Sequence, residues 1–272
     1  NKQYYPKTAS SFVSDLGHFD SLYYSYTEAG LNVIPCIQWA EGDQIATVFG
    51  LDENGKVTSR PASESEKFYP SSYQKYADNM FAFAGRYGQT NTPELVEILK
   101  KHVVLTTEKG TGRGHLTWLE FGNEPNGEDS RGLTPYQLAA LTSAAYDGHC
   151  NTLVDPFGES NHFGAKNADP TIKVAMAGLA GIGSRYCASM VYWMKANRID
   201  HQVSMDAFNV HSYFCREFKI NGQTVMMGVS PEEFGLVDEL SQLVELRDKY
   251  YPEKEVWLTE FNGYEEDKWA GS

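Results

Sequence analysis

Residues 115–126 read HLTWLEFGNEPN, an apolar stretch that leads into polar residues and a proline. A short apolar run of this kind is typical of a strand that is buried on both faces of a sheet. Glu124 follows directly after this predicted strand. A second stretch, EVWLTEFN at 255–262, has the same form and contains Glu260. The sequence therefore predicts two buried strands that each end at a glutamate.

Capped helices and further apolar stretches alternate along the rest of the chain. Strands are also predicted at 32–39, 172–178 and 206–211, and helices at 18–29, 72–87, from Pro93, 134–149, 185–198 and from Ser230. The helix starts carry cap signals, such as Ser-Pro-Glu-Glu at 230–233 and a possible capping box formed by Ser71 and Gln74. This alternation implies an α/β fold with parallel strands, because a crossover helix returns the chain to the same end of the sheet. A doubly wound sheet and a (β/α)8 barrel both fit the pattern.

Composition and charge argue against several classes of protein for this chain. The chain has 272 residues, of which 41% are hydrophobic and 13% aromatic, so it can bury a full core and is not disordered overall. Its 36 acidic and 23 basic side chains give a net charge of −13, which argues against nucleic acid or an anionic membrane as a partner. No apolar run approaches the roughly 18–20 residues of a membrane span. We expect one domain over 1–272, with a polar insertion at 40–71 that contains a hairpin turn at Asn54-Gly55.

The sequence offers no sign of a cofactor or a metal site. No G-x-G-x-x-G or P-loop pattern follows a predicted strand, which weakens the nucleotide-binding versions of the sheet. The four cysteines are widely spaced and form no CxxC pair, so a zinc ribbon or a thioredoxin-type site is not expected.

The two glutamates suggest a chemistry. In a parallel α/β protein the carboxyl ends of the strands share one face, where ligands bind. Glu124 and Glu260 would meet there, and His211 and Tyr213 end the strand between them. Cleavage of a glycosidic bond requires a carboxylic acid that protonates the leaving oxygen and a second carboxylate at the anomeric carbon.

Other roles are open for several of these residues. Glu124 could cap a helix or lie on the surface, His211 could be a core histidine, and Tyr213 fits the core as well as the site. Glu120 lies nearer the strand interior, where a structural salt bridge is the favoured interpretation over a role behind the site. His115, His149, His162 and His201 have no ligand spacing and are interpreted as surface residues.

Three short motifs resemble a known clan. Asn-Glu-Pro at 123–125 and Thr-Glu-Phe-Asn at 259–262 resemble the retaining (β/α)8 glycoside hydrolases, whose acid/base and nucleophile glutamates end barrel strands 4 and 7. Together with Val-His-Ser-Tyr at 210–213, they are most similar to the β-xylosidase/α-L-iduronidase branch. The resemblance implies that 32–39, 116–122, 172–178, 206–211 and 255–260 are barrel strands 3 to 7.

The resemblance also implies roles for individual residues. Glu124 would be the acid/base and Glu260 the nucleophile of a double displacement on a carbohydrate, with no cofactor and no metal. Asn123 would bind the sugar 2-hydroxyl. The expected lining of the site is His211, Tyr213, Gln38, Trp39 and Asn262, with a hydrogen bond from Tyr213 to Glu260. A secreted, periplasmic or cell-surface location is expected from the same resemblance, and the oligomeric state is left open.

The chain departs from the clan in length. Only strands 3 to 7 can be counted, so strands 1, 2 and 8 are expected to be missing or to lie outside this chain. This departure motivates the alternative of a non-catalytic carbohydrate-binding or scaffold protein on a degenerate barrel. A metal-dependent hydrolase is a further alternative, although no ligand cluster in the sequence supports it.

Overall fold

The computed structural model describes residues 17–38, 45–102, 111–127 and 132–263. In these ranges the strands are β1 (Thr47–Leu51), β2 (Val57–Pro61), β3 (Trp118–Asn123), β4 (Lys173–Gly178), β5 (Ala207–Tyr213), β6 (Cys215–Ile220), β7 (Gln223–Gly228) and β8 (Glu255–Asn262). The helices are α1 (Gly17–Glu28), α2 (Gln74–Tyr87), α3 (Pro93–His102), α4 (Pro135–Asn151), α5 (Ala165–Ala168), α6 (Ser184–Asn197), α7 (Pro231–Phe234) and α8 (Leu236–Tyr250).

The central sheet has four parallel strands in the order β3-β4-β5-β8. Helices α4 and α5 lie between β3 and β4 in the chain, α6 between β4 and β5, and α7 and α8 between β5 and β8. The predicted α/β class with parallel strands is therefore confirmed. Two antiparallel hairpins, β1-β2 and β6-β7, lie outside this sheet.

The strand predicted at 32–39 is not regular. Val33 and Cys36 form isolated parallel bridges with Leu116 and Glu120. Because Pro35 has no N–H group, it cannot complete a strand ladder, although its carbonyl accepts a hydrogen bond of 3.0 Å from the Glu120 amide. The prediction of a regular strand was wrong, while the segment does run parallel to β3 at the edge of the sheet.

The central sheet curls strongly around one face. Trp118 on β3 and Trp257 on β8 have their ring centroids 4.3 Å apart, although two strands separate β3 from β8. In a flat sheet these strands would be about 14 Å apart, because neighbouring strands are about 4.8 Å apart. We call the concave side the inner face; besides the two tryptophans it includes Glu120, Asn209 and His211.

The hydrophobic core lies on the other side of the sheet, under the helices. The side chains at the start of and along α2 are almost completely buried, among them Tyr73, Tyr76, Phe81 and Phe83. The Tyr76 ring packs edge-on against Phe121 of β3, and its hydroxyl donates to the Ile37 carbonyl at 2.8 Å. This contact ties α2 to both the sheet and its irregular edge segment.

Short cap and turn motifs predict some of the helix starts and hairpins but not others. Complete capping boxes begin α4 at Thr134 and α7 at Ser230. The capping box expected at Ser71 is absent from α2, because a 3-10 turn over Pro70–Tyr73 precedes that helix. The β6-β7 hairpin was not predicted, although Asn221-Gly222 lies at its turn with positive φ at both residues. No helix in the described ranges has the length and apolar character needed to cross a bilayer.

A buried ion pair joins α1 to α2. Arg86 is 1% exposed, and its Nε donates to Asp20 Oδ1 at 2.9 Å. Asp20 also accepts a hydrogen bond of 2.9 Å from the Tyr87 hydroxyl and lies 3.1 Å from Arg113. Removing this carboxylate would take a charged hydrogen-bond acceptor away from a buried guanidinium.

We therefore expect Asp20→Ala to lower the free energy of unfolding by about 3–5 kcal/mol, because removing one partner of a buried ion pair is strongly destabilising. Urea unfolding measures the change. Glu97→Ala removes one partner of the exposed pair with Lys100 and is the matched control, with an expected change within about 1 kcal/mol. Equal effects of the two substitutions would contradict the importance assigned to the buried pair.

Candidate active site

Glu124 lies on a sharp turn directly after β3. Its backbone has φ 44°, which is uncommon for a residue other than glycine, and Gly122 before it has φ 100°. The Glu124 amide donates to the Gly178 carbonyl at the end of β4, at 2.7 Å. The turn is fixed further by Asn126, whose side-chain amide bonds to both the N–H and the carbonyl of Ala180 at 2.9 Å. These contacts hold Glu124 between the ends of β3 and β4.

Glu260 reaches the inner face through an irregularity in β8. Asn209 pairs with Trp257, but His211 pairs with Glu260, so the register shifts by one residue between them. Asn209 and His211 lie on the same face of β5, because side chains alternate along a strand. Trp257 and Glu260 therefore also share a face although they are three residues apart. The shift directs the Glu260 carboxylate to the same side as Glu124.

His211 and Tyr213 connect the two glutamates. His211 Nδ1 lies 2.9 Å from Glu124 Oε1 and 3.7 Å from Glu260 Oε2. The Tyr213 hydroxyl donates to Glu260 Oε2 at 2.6 Å. One oxygen of each glutamate and the imidazole Nδ1 all lie within 4.8 Å of one another. Two carboxylates thus face each other across a buried imidazole.

The site combines a buried imidazole with accessible carboxylates. The side chain of His211 is 1% exposed, whereas those of Glu124 and Glu260 are 28% and 42% exposed. The hydrogen bond to Glu260, with a contribution from burial, raises the pKa of Tyr213 to about 12. Tyr213 therefore stays a hydrogen-bond donor to Glu260 at neutral pH.

A polar layer lies behind the site on the inner face. The Asn209 amide donates to Glu120 Oε1 at 2.8 Å, and the Thr259 hydroxyl donates to Asn209 Oδ1 at 2.7 Å. Glu120 is 8% exposed, and burial raises its pKa. Within the described ranges, the hydrogen-bond partner of Glu120 is the Asn209 amide and not a basic side chain, which differs from the salt bridge that the sequence favoured.

Gly178 is a site residue that sequence reasoning missed. A Cβ atom at this position would lie 2.2 Å from His211 Nε2, so the imidazole occupies the space that any other residue would need. The available signal was a glycine at the end of a buried strand, which often marks a close approach by another group.

The structure brings together four of the eight predicted site residues: Glu124, Glu260, His211 and Tyr213. Asn123 ends β3, is half-buried and pairs with Gly178. Asn262 is exposed and pairs with Tyr213 at the end of β8. Gln38 is exposed at the end of the edge segment, and Trp39 lies outside the described residues.

Two groups of side chains in the described ranges have the spacing of metal ligands. One is the site itself, Glu124, His211 and Glu260; the other is Asp147, Cys150 and Asp200. In the second group Arg198 Nη2 lies 2.7 Å from both aspartates, so the positive charge of its guanidinium already pairs with their carboxylates. We assign a metal to neither group.

One histidine interpreted as a surface residue was assigned wrongly. His162 is fully buried, with Nδ1 3.1 Å from Asp78 and Nε2 3.7 Å from Asp155. It lies beside α2 rather than at the strand ends and is separate from the site.

Comparison with solved structures gives a distant match in fold. A glucosidase from Croceicoccus marinus has a TM-score of 0.53 and 14% sequence identity over 94% of this chain. A family 51 α-L-arabinofuranosidase from Bifidobacterium longum has a TM-score of 0.45 and 13% identity over 89% of this chain, a similarity too low to carry an argument. The chain spans 40% and 38% of the lengths of these two proteins. Compared by sequence, it matches no protein-family model and no curated protein.

At these identities the similarity concerns the fold alone. The first neighbour is a glucosidase, and its match extends over nearly the whole of the present chain. The chain therefore shares an α/β fold with this glucosidase over most of its own length. The roles of individual residues are proposals that depend on the geometry above.

We expect Gly178→Ala to displace the His211 imidazole and to lower kcat/KM of any activity at this site by about 10- to 100-fold, because small misplacements of positioning groups are costly. Gly181→Ala is the control, since that glycine follows the same strand and a Cβ there meets no atom within 4 Å. Because Gly181 has φ +81°, some loss of stability is expected from this control, so thermal unfolding should accompany the kinetics. Unchanged kcat/KM in a folded Gly178→Ala protein would contradict the placement of His211.

A second prediction concerns Glu120 and pH. Its raised pKa means that the folded state binds this proton more tightly than the unfolded state, so stability declines as pH rises from the ordinary value of 4.5 through the raised pKa. Glu120→Gln keeps the shape and an acceptor oxygen but cannot ionise. The difference in Tm, variant minus wild type, should therefore increase as pH rises through this window. A Tm difference that stays constant between pH 4 and pH 8 would contradict the raised pKa of Glu120. Glu97→Gln, at an exposed position, is the control, and its Tm difference from wild type should not change with pH.

Proposed function

We propose that this chain is a retaining glycoside hydrolase in which Glu260 is the nucleophile and Glu124 the acid/base. The observation that carries the proposal is the meeting of two strand-end carboxylates, with oxygens within 4.8 Å, around one buried imidazole. Retaining enzymes hold their two carboxyl groups about 5–5.5 Å apart, whereas inverting enzymes leave about 6.5–9.5 Å for a water molecule. The short separation therefore favours double displacement.

The surroundings of the two glutamates suit these different roles. Glu260 accepts a hydrogen bond of 2.6 Å from the Tyr213 hydroxyl, which holds one carboxylate oxygen in place and leaves the other available for attack at the anomeric carbon. Glu124 lies 2.9 Å from His211 Nδ1, an atom that can donate to its carboxylate or accept from its acid form. Glu124 can therefore give a proton to the leaving oxygen and afterwards take one from the attacking water.

We extend the proposal to the fold and the substrate. The curl of the sheet and the parallel edge segment at 33–36 support an origin as strands 3 to 7 of a (β/α)8 barrel of the retaining clan, with the motifs of the β-xylosidase/α-L-iduronidase branch. The substrate is then a β-linked oligo- or polysaccharide, with Asn123 at the sugar 2-hydroxyl. Such a substrate is consistent with a secreted or cell-surface protein.

The test is chemical rescue. Glu260→Ala should lose nearly all hydrolysis of aryl β-glycosides, and added azide should restore turnover with formation of the glycosyl azide of inverted anomeric configuration. The panel consists of aryl xyloside, glucoside, galactoside and mannoside. Glu124→Ala should lose about 10²- to 10⁴-fold in kcat/KM on poor leaving groups and much less on good ones.

Glu255→Ala is the matched control, because it removes a glutamate from the opposite end of β8 that pairs with exposed Lys173. It should leave turnover unchanged. An azide product of retained configuration, or the same activity in Glu260→Ala as in wild type, would contradict the assignment of the nucleophile. Binding of the sugars without turnover by the wild-type protein would favour the alternative of a non-catalytic carbohydrate-binding protein.

A further inference from the structure

A chain of hydrogen bonds crosses the inner face behind the two glutamates. It starts at the Thr259 hydroxyl on β8, passes through the Asn209 side-chain amide on β5 and ends at Glu120 Oε1 on β3, with bonds of 2.7 and 2.8 Å. These are the strands that carry Glu260, His211 and Glu124. We call Thr259, Asn209 and Glu120 the inner polar chain.

Each group of the Asn209 amide has a partner in the inner polar chain. The Asn209 nitrogen donates to Glu120 Oε1, and the Asn209 oxygen accepts from the Thr259 hydroxyl. Asn209 is fully buried, and a buried amide is costly unless its groups are paired. An amide at this position satisfies a donor on one side and an acceptor on the other, which no apolar residue of similar size can do.

Each member of the inner polar chain lies close in sequence to a residue of the site. Thr259 is the residue inserted at the register shift of β8 and directly precedes Glu260. Asn209 lies two residues before His211 on the same face of β5. The Thr259–Asn209 bond therefore joins the irregular part of β8 to the strand that holds the Glu260 partners.

We propose that Asn209 and Thr259 are positioning residues that hold the β8 register shift and thereby keep the Glu260 carboxylate on the Tyr213 hydroxyl. The catalytic consequence of this inference rests on the proposed function, whereas the structural consequence does not. Without the Thr259 hydroxyl, regular pairing of β8 would compete with the shifted register. In that register Glu260 would turn away from the inner face, because a slip of one residue reverses the side chains of a strand.

Thr259 offers a variant that spares the core. The residue is exposed on the outer strand of the sheet, and Thr259→Val keeps the β-branched shape while replacing the hydroxyl with a methyl group. Thr259→Ser keeps the hydroxyl and loses the methyl group. The two variants separate the hydrogen bond from packing, and thermal unfolding shows whether either one affects global stability.

The ionisation of Tyr213 is the direct measurement. The hydrogen bond to Glu260, burial, and the charges of Glu260 and Glu124 raise the pKa of Tyr213 to about 12. With tyrosines labelled at ¹³Cζ, and the Tyr213 signal identified by its loss in Tyr213→Phe, wild type should show this phenol protonated at pH 10.5. In Thr259→Val the pKa should fall towards 10, so that most of the Tyr213 signal shifts to the ionised position at that pH. Thr259→Ser should resemble wild type.

Kinetics give a second readout. Thr259→Val should lower kcat/KM by about 10- to 100-fold, equally for good and poor leaving groups, since the displaced group is the nucleophile and not the acid. Thr259→Ser should stay within about threefold of wild type. A folded Thr259→Val protein with the wild-type Tyr213 signal overturns the inference, and so does an equal loss in the valine and serine variants. If wild type hydrolyses no glycoside, the proposed function fails, while the Tyr213 signal still decides the inference.

Discussion

The one-residue register shift between β5 and β8 is the constraint on which the site depends. Strand side chains alternate strictly, so a regular β8 with Trp257 on the inner face would direct Glu260 to the opposite side. The shift occurs between Val210 and His211, directly before the site residues of β5. Irregularities of this kind often lie beside active sites because they redirect a side chain. The placement of Glu260 opposite Glu124 follows from this feature, and the curl of the sheet then brings their strands together.

Two facing carboxyl groups need hydrogen-bonding partners that hold them in place. His211 and Tyr213 supply these partners from one strand, at 2.9 Å from Glu124 and 2.6 Å from Glu260. Burial of the imidazole strengthens its interactions, because the local dielectric constant is lower than that of water. Gly178 makes room for the ring, and the turn at Glu124 is held by the Gly178 carbonyl. The end of β4 therefore helps to place Glu124 directly and Glu260 through His211, although it contributes no side chain.

Much of the fold and the centre of the site could be predicted from the sequence. Apolar runs alternating with capped helices give parallel strands, and the ends of parallel strands share one face, so Glu124, His211 and Glu260 were expected to be neighbours. The register shift left no signal, because Val-Trp-Leu-Thr-Glu alternates as well in either register. Pro35 and Asn221-Gly222 do carry signals in the sequence, for an irregular edge segment and for a hairpin turn. The burial of His162 depends on contacts with Asp78 and Asp155, which are distant in sequence.

The inner face is aromatic at one end and polar at the other. This distribution of side chains is itself an argument for function. Trp118 and Trp257 close one end with an aromatic contact, while the carboxylates occupy the other. Between them, an interior selected for stability alone would favour apolar side chains, since buried polar groups contribute only when each is satisfied. Here a buried carboxyl and a buried amide are kept and paired with each other. Such departures from the most stable choice are expected at functional sites, where the position of a neighbouring group matters more than stability.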